Sequence, residues 1–328
     1  MLTLLIATLT LQGSAQAQAP ALLVADNPMA VPGGAGHFDF MNIDPANRLV
    51  IASHPGKKSV VVLNLTTNEV KDVDAGAACN GIGIDSRGGR VFAAGPDKTL
   101  VRFDSKTWTK TGTLALDGPG DCVQFDSKNG VVYVDNDDGT NLWVVDPSTM
   151  KVKATVTIKE APEYMEFDRG RNKIFQAIKS TNSVQVVDAS TYQVVSEWTI
   201  GEATSPHGLA LDRRAGRVYV AGRNGKLAIL DADSGKLLNS VEIVKGSDQI
   251  AYDARLKRLY VPGSGTMQVL QVDGDNATVV ASVPVNKDCH RVVVDPQTND
   301  VWVAYADGDN SYVQRFKAQK PASTGQGH

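Results

Sequence analysis

One polar residue recurs in each of seven stretches of the chain, always five positions before an aspartate. The aspartates that close these stretches are spaced 41 to 44 residues apart, at Asp44, Asp85, Asp126, Asp168, Asp212, Asp253 and Asp295. The seven residues five positions earlier, called the polar ring below, are Asp39, Asn80, Asp121, Glu163, His207, Asp248 and His290. Carboxylates and imidazoles are the side chains that move protons and hold cations, so an equivalent set of them is a candidate site.

If these side chains converge, two kinds of chemistry become possible: binding of a cation or metal, and hydrolysis by water that a bound metal activates. Carboxylates that meet at one opening repel one another, so they must be protonated, paired with cations or bound to a metal. Oxygen ligands favour Ca²⁺ or Mg²⁺, whereas the two histidines shift the preference towards Zn²⁺, Mn²⁺ or Cu²⁺. The candidate metal ligands are Asp39, His207, Asp248 and His290. A divalent metal held there could activate water for hydrolysis, with a ring carboxylate or histidine as base.

The period of the closing aspartates predicts the elements that carry these residues. Each unit holds short runs of β-branched and aromatic residues between polar turns, such as 131–134 and 217–221. Seven units of this length predict an all-β, single-domain fold, a seven-bladed β-propeller with four-stranded antiparallel blades. The first strand of each blade lines the central channel, which puts the polar ring at the channel mouth. Strand starts that face water are also polar simply because they are solvated. The closing aspartates are predicted to cap hairpin turns.

The two ends of the chain are predicted to meet in the seventh blade. The last unit has no fourth strand, and residues 21–31 form a lone strand before the first unit. We predict that this N-terminal strand closes blade seven and so removes exposed sheet edges. The propeller is predicted to span residues 20–317, followed by a disordered tail over 318–328 that is rich in polar residues, glycine and proline.

Loops on the same face as the polar ring extend the candidate site. His37 lies two residues before Asp39, and His54, Lys179 and Arg223 lie in loops that reach the channel mouth. For His54 the favoured interpretation is a turn residue before Pro55 and Gly56. Lys179 and Arg223 lie on neighbouring blades near His207 and form either a solvated loop pair or an anion site. The NDDG segment at 136–139 is interpreted as a hairpin turn rather than a calcium loop.

Composition and targeting signals limit the partners. The net charge is −3 and no basic cluster is present, which argues against nucleic acid and anionic membranes as partners. Residues 1–19 combine an apolar run with Ala15-Gln16-Ala17, the pattern of a cleaved signal peptide. The sequence therefore predicts a periplasmic or secreted protein, expected to be a monomer, with no integral membrane segment in the mature chain.

Three cysteines, Cys79, Cys122 and Cys289, lie next to ring residues and form no C-x-x-C motif. This excludes the usual zinc-ribbon and c-haem signatures. Cys79 and Cys122 lie on adjacent blades and make the most feasible disulfide, whereas buried thiols are the commoner outcome. Cys289 could contribute to a metal site beside His290. No G-x-S-x-G nucleophile motif occurs.

The second strands carry a family resemblance. The runs at 132–136 (VYVDN), 218–222 (VYVAG) and 259–263 (LYVPG), with the VVD strands ending at Asp146 and Asp188, resemble the YVTN repeat. The chain is similar to YVTN-repeat (YncE-like) bacterial β-propellers over essentially its mature length. None of its repeats carries the full Thr-Asn pair, and Asn136 comes nearest. The resemblance implies the fold and says little about function.

These observations favour three hypotheses in a fixed order. The first is an exported binding protein whose channel mouth takes a small ligand, a metal or a protein partner. The second is a metal-dependent hydrolase using the same ring, with propeller lactonases as a parallel in architecture only. The third is a structural scaffold for protein–protein contacts, whose functional surface lies elsewhere.

Overall fold

The protein is a ring of seven antiparallel sheets, which confirms the predicted seven-bladed β-propeller. A computed structural model describes residues 21–319. The predicted signal peptide lies outside the described residues, as does the predicted tail beyond residue 319.

The strands follow one another blade by blade along the chain. Before the first blade come β1 (Leu23–Ala25) and β2 (Met29–Val31). Blade one contains β3 (Met41–Asp44), β4 (Leu49–His54), β5 (Ser59–Asn64) and β6 (Val70–Asp74). Blade two contains β7 (Gly81–Asp85), β8 (Arg90–Gly95), β9 (Thr99–Asp104) and β10 (Lys110–Ala115). Blade three contains β11 (Gly120–Asp126), β12 (Val131–Asn136), β13 (Asn141–Asp146) and β14 (Lys151–Thr157).

The remaining four blades repeat this order. Blade four contains β15 (Pro162–Asp168), β16 (Lys173–Ile178), β17 (Ser183–Asp188) and β18 (Gln193–Thr199). Blade five contains β19 (Pro206–Asp212), β20 (Arg217–Gly222), β21 (Lys226–Asp231) and β22 (Leu237–Glu242). Blade six contains β23 (Ala251–Asp253), β24 (Arg258–Gly263), β25 (Thr266–Asp273) and β26 (Asn276–Pro284). Blade seven contains β27 (Val293–Val294), β28 (Val301–Asp307) and β29 (Asn310–Ala318).

Burial along the strands shows where the core lies. The second strands are mostly apolar and almost wholly buried, because both faces of each blade pack against a neighbouring blade. The outer strands β10 and β18 alternate between exposed and partly buried residues, as expected at the rim. The core therefore lies between the blades and holds the inner strands at fixed positions around the channel.

The N-terminal strand closes blade seven, as predicted. Both β1 and β2 pair antiparallel with β29, in the place of a fourth strand. Asp26 strengthens this seam, since its carboxylate accepts a hydrogen bond from Arg315 Nε at 2.7 Å and lies 2.9 Å from Lys317 Nζ. The strand β29 runs to Ala318, and the backbone N–H of Gln319 donates to the Leu22 carbonyl.

The closing aspartates cap the turns between the first and second strands, as predicted. In each blade the carboxylate accepts hydrogen bonds from backbone N–H groups two or three residues further on. Asp126 is fully buried and accepts from the N–H groups of Lys128 and Asn129, both at 2.8 Å. These hydrogen bonds hold the turns in place on the face of the propeller opposite to the polar ring.

All three cysteines are free and buried. The proposed Cys79–Cys122 bridge is therefore absent, and the alternative of buried thiols holds. Burial raises the pKa of both Cys79 and Cys289 to about 12, so both remain protonated thiols at neutral pH.

No helix within residues 21–319 combines the length and the apolar character needed to cross a membrane.

Candidate functional site

Bulges in the inner strands present three members of the polar ring to the channel mouth. In blade three the pairing jumps from Gly120–Asn136 to Val123–Val134, which leaves Asp121 in a bulge. The same break occurs around Glu163 in blade four and around His207 in blade five. A bulge bends the strand and re-aims its side chains, so these residues turn out of the regular pleat.

In the other four blades the ring residue precedes the regular inner strand. Asp39, Asn80, Asp248 and His290 all lie in the loop that leads into the first strand of their blade. The seven equivalent residues are thus held by two local structures, a bulge or a loop. In blades six and seven, where the ring residue lies in a loop, the inner strand is short, with three residues in β23 and two residues in β27.

A glycine lets blades two and three approach closely behind the ring. A Cβ atom on Gly81 would lie 2.0 Å from the carbonyl oxygen of Asp121, a distance that no side chain tolerates. The close approach puts Asn80 Nδ2 3.0 Å from Asp121 Oδ1, to which it donates a hydrogen bond. Asp121 is only 6% exposed, and it has no ion-pair partner among residues 21–319.

Members of the ring lie close together, since Glu163 Oε1 is 3.5 Å from His207 Nε2, and the ring carboxylates also affect one another's pKa values. Burial, followed by the charges of Asp39 and other carboxylates, raises the pKa of Asp121 well above its usual range. Burial also raises the pKa of Asp39 to about 6, while Arg291 opposes this rise and Asp248 adds to it. For Glu163, burial outweighs the opposing effect of Lys179 and raises the pKa to about 7.

Behind the ring lies a further buried carboxylate, Asp135. It accepts hydrogen bonds from the Cys122 N–H at 2.6 Å and from Gln176 Nε2 at 3.0 Å, and it is completely buried. Burial raises its pKa well above the usual range, since two hydrogen bonds do not compensate for lost solvation. The acidic character of the mouth therefore extends below its surface in blades three and four.

Three cationic side chains contact ring carboxylates around the mouth. Lys179 Nζ lies 2.6 Å from Glu163 Oε1, and Arg223 Nη2 lies 3.4 Å from Asp248 Oδ1. Arg291 is 9% exposed and lies between two ring carboxylates, with Nη2 3.9 Å from Asp39 Oδ1 and 3.8 Å from Asp248 Oδ2. Its Nε donates to the Asp39 carbonyl at 2.7 Å, which fixes the guanidinium in place.

The ring histidines are oriented by backbone carbonyls. Nδ1 of His207 lies 2.9 Å from the Ser205 carbonyl, and Nδ1 of His290 lies 2.8 Å from the Gly246 carbonyl. Burial lowers the pKa of His207, which favours its neutral form. With Nδ1 donating, Nε2 of His207 accepts from Arg223 Nη1 at 3.4 Å and faces the mouth as a base.

The mouth has a closed floor made of the residues that directly follow ring members. Gln249 exchanges two hydrogen bonds with the Met41 backbone, at 3.1 and 2.8 Å. Tyr164 packs against Phe40 with 5.4 Å between ring centroids and the ring planes tilted by 50°, and the side chains of Phe40, Tyr164 and Gln249 are all buried. Below this floor lies a separate cavity of about 150 Å³ that reaches towards Asn42 and Glu166. The polar ring therefore lines a cup.

The structure brings most of the predicted site residues together and separates one of them. Lys179 and Arg223 contact ring members, and His37 is exposed near enough to Asp39 to lower the pKa of that carboxyl. His54 is completely buried, stacked on Phe38, with Nε2 3.1 Å from the Gly36 carbonyl. It belongs to the seam between blades seven and one, so its assignment to the channel mouth is wrong. The NDDG segment is the hairpin turn between β12 and β13, as predicted.

The hypothesis of a bound metal can be compared with the positions of the side chains that could bind it. Within the described residues, no three His, Cys, Asp or Glu side chains form a group that could hold a metal ion. The assignment of Asp39, His207, Asp248 and His290 as metal ligands stays a prediction. The cations of the mouth contact three of the ring carboxylates, namely Asp39, Asp248 and Glu163.

Three functional features were not identified from the sequence. Arg291, Asp135 and the floor residues Tyr164 and Gln249 all shape the cup. The one available signal was in the positions directly after the ring members, which combine two glycines with large side chains such as Phe40 and Arg291. When the side chains at one equivalent position differ this much in size, the large ones of a few blades can form a floor. The glycines of other blades leave room for them.

The ring of blades and the closed cup define the class: a seven-bladed β-propeller with a polar channel mouth. No family model matches the chain. Two uncharacterized YncE proteins, from Salmonella typhimurium (strain LT2) and Salmonella typhi, are each 24% identical to it, over 186 and 151 residues. The alignments cover 54% and 44% of this chain and 52% and 42% of the relatives, so the chain spans about half their length. The predicted resemblance to YncE-like propellers is confirmed.

Solved structures share the fold. A structure of U3-55K matches with a TM-score of 0.77 at 9% identity, covering 88% of this chain and 98% of that one. A chain from a crystal structure of the mitotic checkpoint complex matches with a TM-score of 0.78 at 12% identity, covering 98% and 99% of the two chains. At such low identity these matches establish the architecture alone.

Proposed function

We propose that this protein is an exported binding protein whose channel mouth takes a small polar ligand with an amino group. The observation that carries the proposal is Asp121, which is 6% exposed and has no ion-pair partner within residues 21–319, together with the partly buried Asp39. Burial and the charges of neighbouring carboxylates raise the pKa of both side chains. A ligand ammonium would supply the missing positive charge. Binding would then lower these pKa values and stabilise both carboxylates as ions.

The division of the mouth indicates how such a ligand lies. Asp121 and its partner Asn80 lie in blades three and two, whereas Lys179, Arg223 and Arg291 lie in blades four, five and seven. A zwitterion, with its ammonium group on the acidic side and an anionic group on the basic side, matches both charges. The closed floor of Phe40, Tyr164 and Gln249 gives the cup a bottom against which a small molecule rests.

Thermal unfolding with a matched ligand panel tests the proposal. Amino acids and simple primary amines should raise the Tm at pH 7, whereas their N-acetylated counterparts should not, because acetylation removes the ammonium charge. The D39N/D121N variant should lose the effect. D307N, which changes an exposed carboxylate outside the ring, should keep it. Equal responses to free and acetylated amines, or a full response in D39N/D121N, would show that the carboxylates do not bind the ligand.

Export is the second part of the proposal and rests on residues 1–19. The apolar run followed by Ala15-Gln16-Ala17 is typical of a cleaved leader. Expression of the full chain in a bacterial host, followed by fractionation and N-terminal sequencing, should give a periplasmic or secreted product that begins near Gln18. An uncut product retained in the cytoplasm would contradict export and leave the mouth proposal to its own test.

A further inference from the structure

The face opposite to the polar ring holds a cavity that the proposed function does not use. It measures about 570 Å³ and opens beside the turns of blades two, three and four that the closing aspartates cap. Three arginines line it, Arg87, Arg90 and Arg169, together with the side chains of Ile84 and Phe125. Ser86 and Ser127 contribute hydroxyl groups to the same lining.

Two of these arginines have no anionic partner in the part of the chain that the structure describes. Arg90 is engaged, since its Nε donates to Asp85 Oδ2 at 2.9 Å and its Nη1 donates to Ser148 Oγ at 3.1 Å. Arg87 and Arg169 are exposed and take part in no ion pair and no side-chain hydrogen bond within residues 21–319. Neighbouring arginines on this face differ: Arg171 binds both Asp168 and Asp233, and Arg213 binds Glu166.

The turns that carry the free arginines are held in place. Asp85 accepts from the Gly88 N–H at 2.9 Å, and Asp168 accepts from the Arg171 N–H at 3.1 Å, so each arginine lies inside a capped turn. The backbone of the cavity wall is therefore fixed before any ligand arrives, which lowers the entropic cost of binding. Only the two long side chains must be ordered.

The lining indicates the chemistry of the ligand. Guanidinium groups bind carboxylates and phosphates through paired hydrogen bonds. Ile84 and Phe125 are partly buried and give the cavity an apolar wall, with Phe125 backed by the parallel ring of Phe92 at 6.5 Å between centroids. We propose that this cavity binds a small organic carboxylate with an apolar or aromatic body, held by Arg87 and Arg169 and packed against Phe125. A bare inorganic anion would make the same charged contacts and leave the apolar wall uncovered.

Titration calorimetry on the full chain tests this site with three probes: benzoate, inorganic phosphate and benzamide. Benzoate should bind more tightly than either of the others, because only benzoate has both a carboxylate and an aromatic ring. The variant R87Q/R169Q should weaken benzoate binding by about tenfold or more. The control R214Q removes another exposed arginine of this face, one that lines a different cavity, and should leave binding unchanged.

Each alternative result overturns a stated part of the proposal. No benzoate binding to the wild-type chain, or unchanged binding in R87Q/R169Q, would show that the cavity is not the carboxylate site. Phosphate binding as tight as benzoate binding would show that the apolar wall takes no part. Because the substituted side chains are exposed, the variants should fold, and an unchanged Tm verifies this. The D39N/D121N variant should bind benzoate normally, which keeps this test separate from that of the channel mouth.

Discussion

Two sets of seven residues lie at opposite ends of the same inner strands and behave in opposite ways. The closing aspartates are mostly buried, accept backbone N–H groups in every blade and in several blades contact an arginine. The polar ring is partly buried too, but Asp121 and Asp39 receive few hydrogen bonds from neutral donors and lie near other carboxylates. The same side chain is therefore a structural cap at one end and an under-compensated charge at the other.

This difference shows that the role of an aspartate depends on the hydrogen-bond donors around it as well as on its burial. Backbone N–H groups in a turn are fixed and point at the carboxylate, so they replace the water that folding removes. At the mouth, bulges and loops turn the side chains towards one another and away from such donors. Charge that the fold does not compensate remains available for a ligand.

Replacing a closing aspartate should have the largest effect on stability. Asp126→Ala leaves the N–H groups of Lys128 and Asn129 without their acceptor and opens a small buried space, so we expect a loss of about 3–4 kcal/mol in the free energy of unfolding. Urea denaturation measures it, with the exposed Asp273→Ala as control, expected within about 0.5 kcal/mol of wild type. Similar costs for the two variants would contradict the structural role of the closing aspartates.

The pH dependence of stability should distinguish the ring from the caps. Folding raises the pKa of Asp39 from 3.8 to about 6, so its proton is held more tightly in the folded state. Its stabilising contribution is therefore complete below pH 3.8 and is lost as the pH rises through 6, by up to about 3 kcal/mol. Compared with wild type, Asp39→Asn should gain stability between pH 4 and 7 in a urea series. A constant difference between the two curves would show that the Asp39 pKa is not raised.

Replacing the most buried ring carboxylate by its amide should stabilise the protein modestly. Asp121→Asn keeps an oxygen that can accept from Asn80 and removes a poorly solvated charge, so we expect about 1 kcal/mol of added stability at pH 8. The corresponding Asp126→Asn change at the opposite face should destabilise, because the new amide N–H₂ replaces an acceptor. Urea denaturation of both variants is the measurement. If both changes had the same sign, the contrast between the two ends would be lost.

The smallest expected effect concerns one cation of the mouth. Arg291 lowers the pKa of Asp39 through its positive charge, so Arg291→Gln should raise that pKa further above about 6. Carboxyl-selective NMR titration of the folded variant reads this pKa directly. An unchanged Asp39 titration would mean that the guanidinium, 3.9 Å from the carboxylate, is screened by water. Arg213→Gln, on the opposite side of the channel floor, is the matched control.

The fold could be predicted because the same local signals recur in all seven repeats. Each closing aspartate marks a local turn, and the strands around it carry the β-branched runs that any blade requires. Closure by the N-terminal strand followed from counting strands, since one blade lacked its fourth. These inferences depend only on neighbouring residues and on the number of repeats.

The candidate site could be predicted only in part, because its geometry depends on how different blades approach. The equivalent positions identified Asp121 and Glu163, which contact the neighbouring ring residues Asn80 and His207 in the structure. The same reasoning assigned His54 to the mouth, but stacking on Phe38 turns its ring into the seam between blades. Arg291 and Gln249 were missed since nothing in their own blades indicates that they reach blade one, Arg291 from the adjacent blade seven and Gln249 from blade six.

The seam of blade seven also sets the order of events when the protein forms. Asp26 and its partner Arg315 are 289 positions apart, so the first described strands pair with the last described one. Six blades can assemble from nearby strands, but the ring stays open until β29 has been synthesised. Contacts between such distant positions carry a large loop-closure entropy and form late. We therefore expect completion of the circle to be a late step, before which β29 presents a bare hydrogen-bonding edge to any other extended chain nearby.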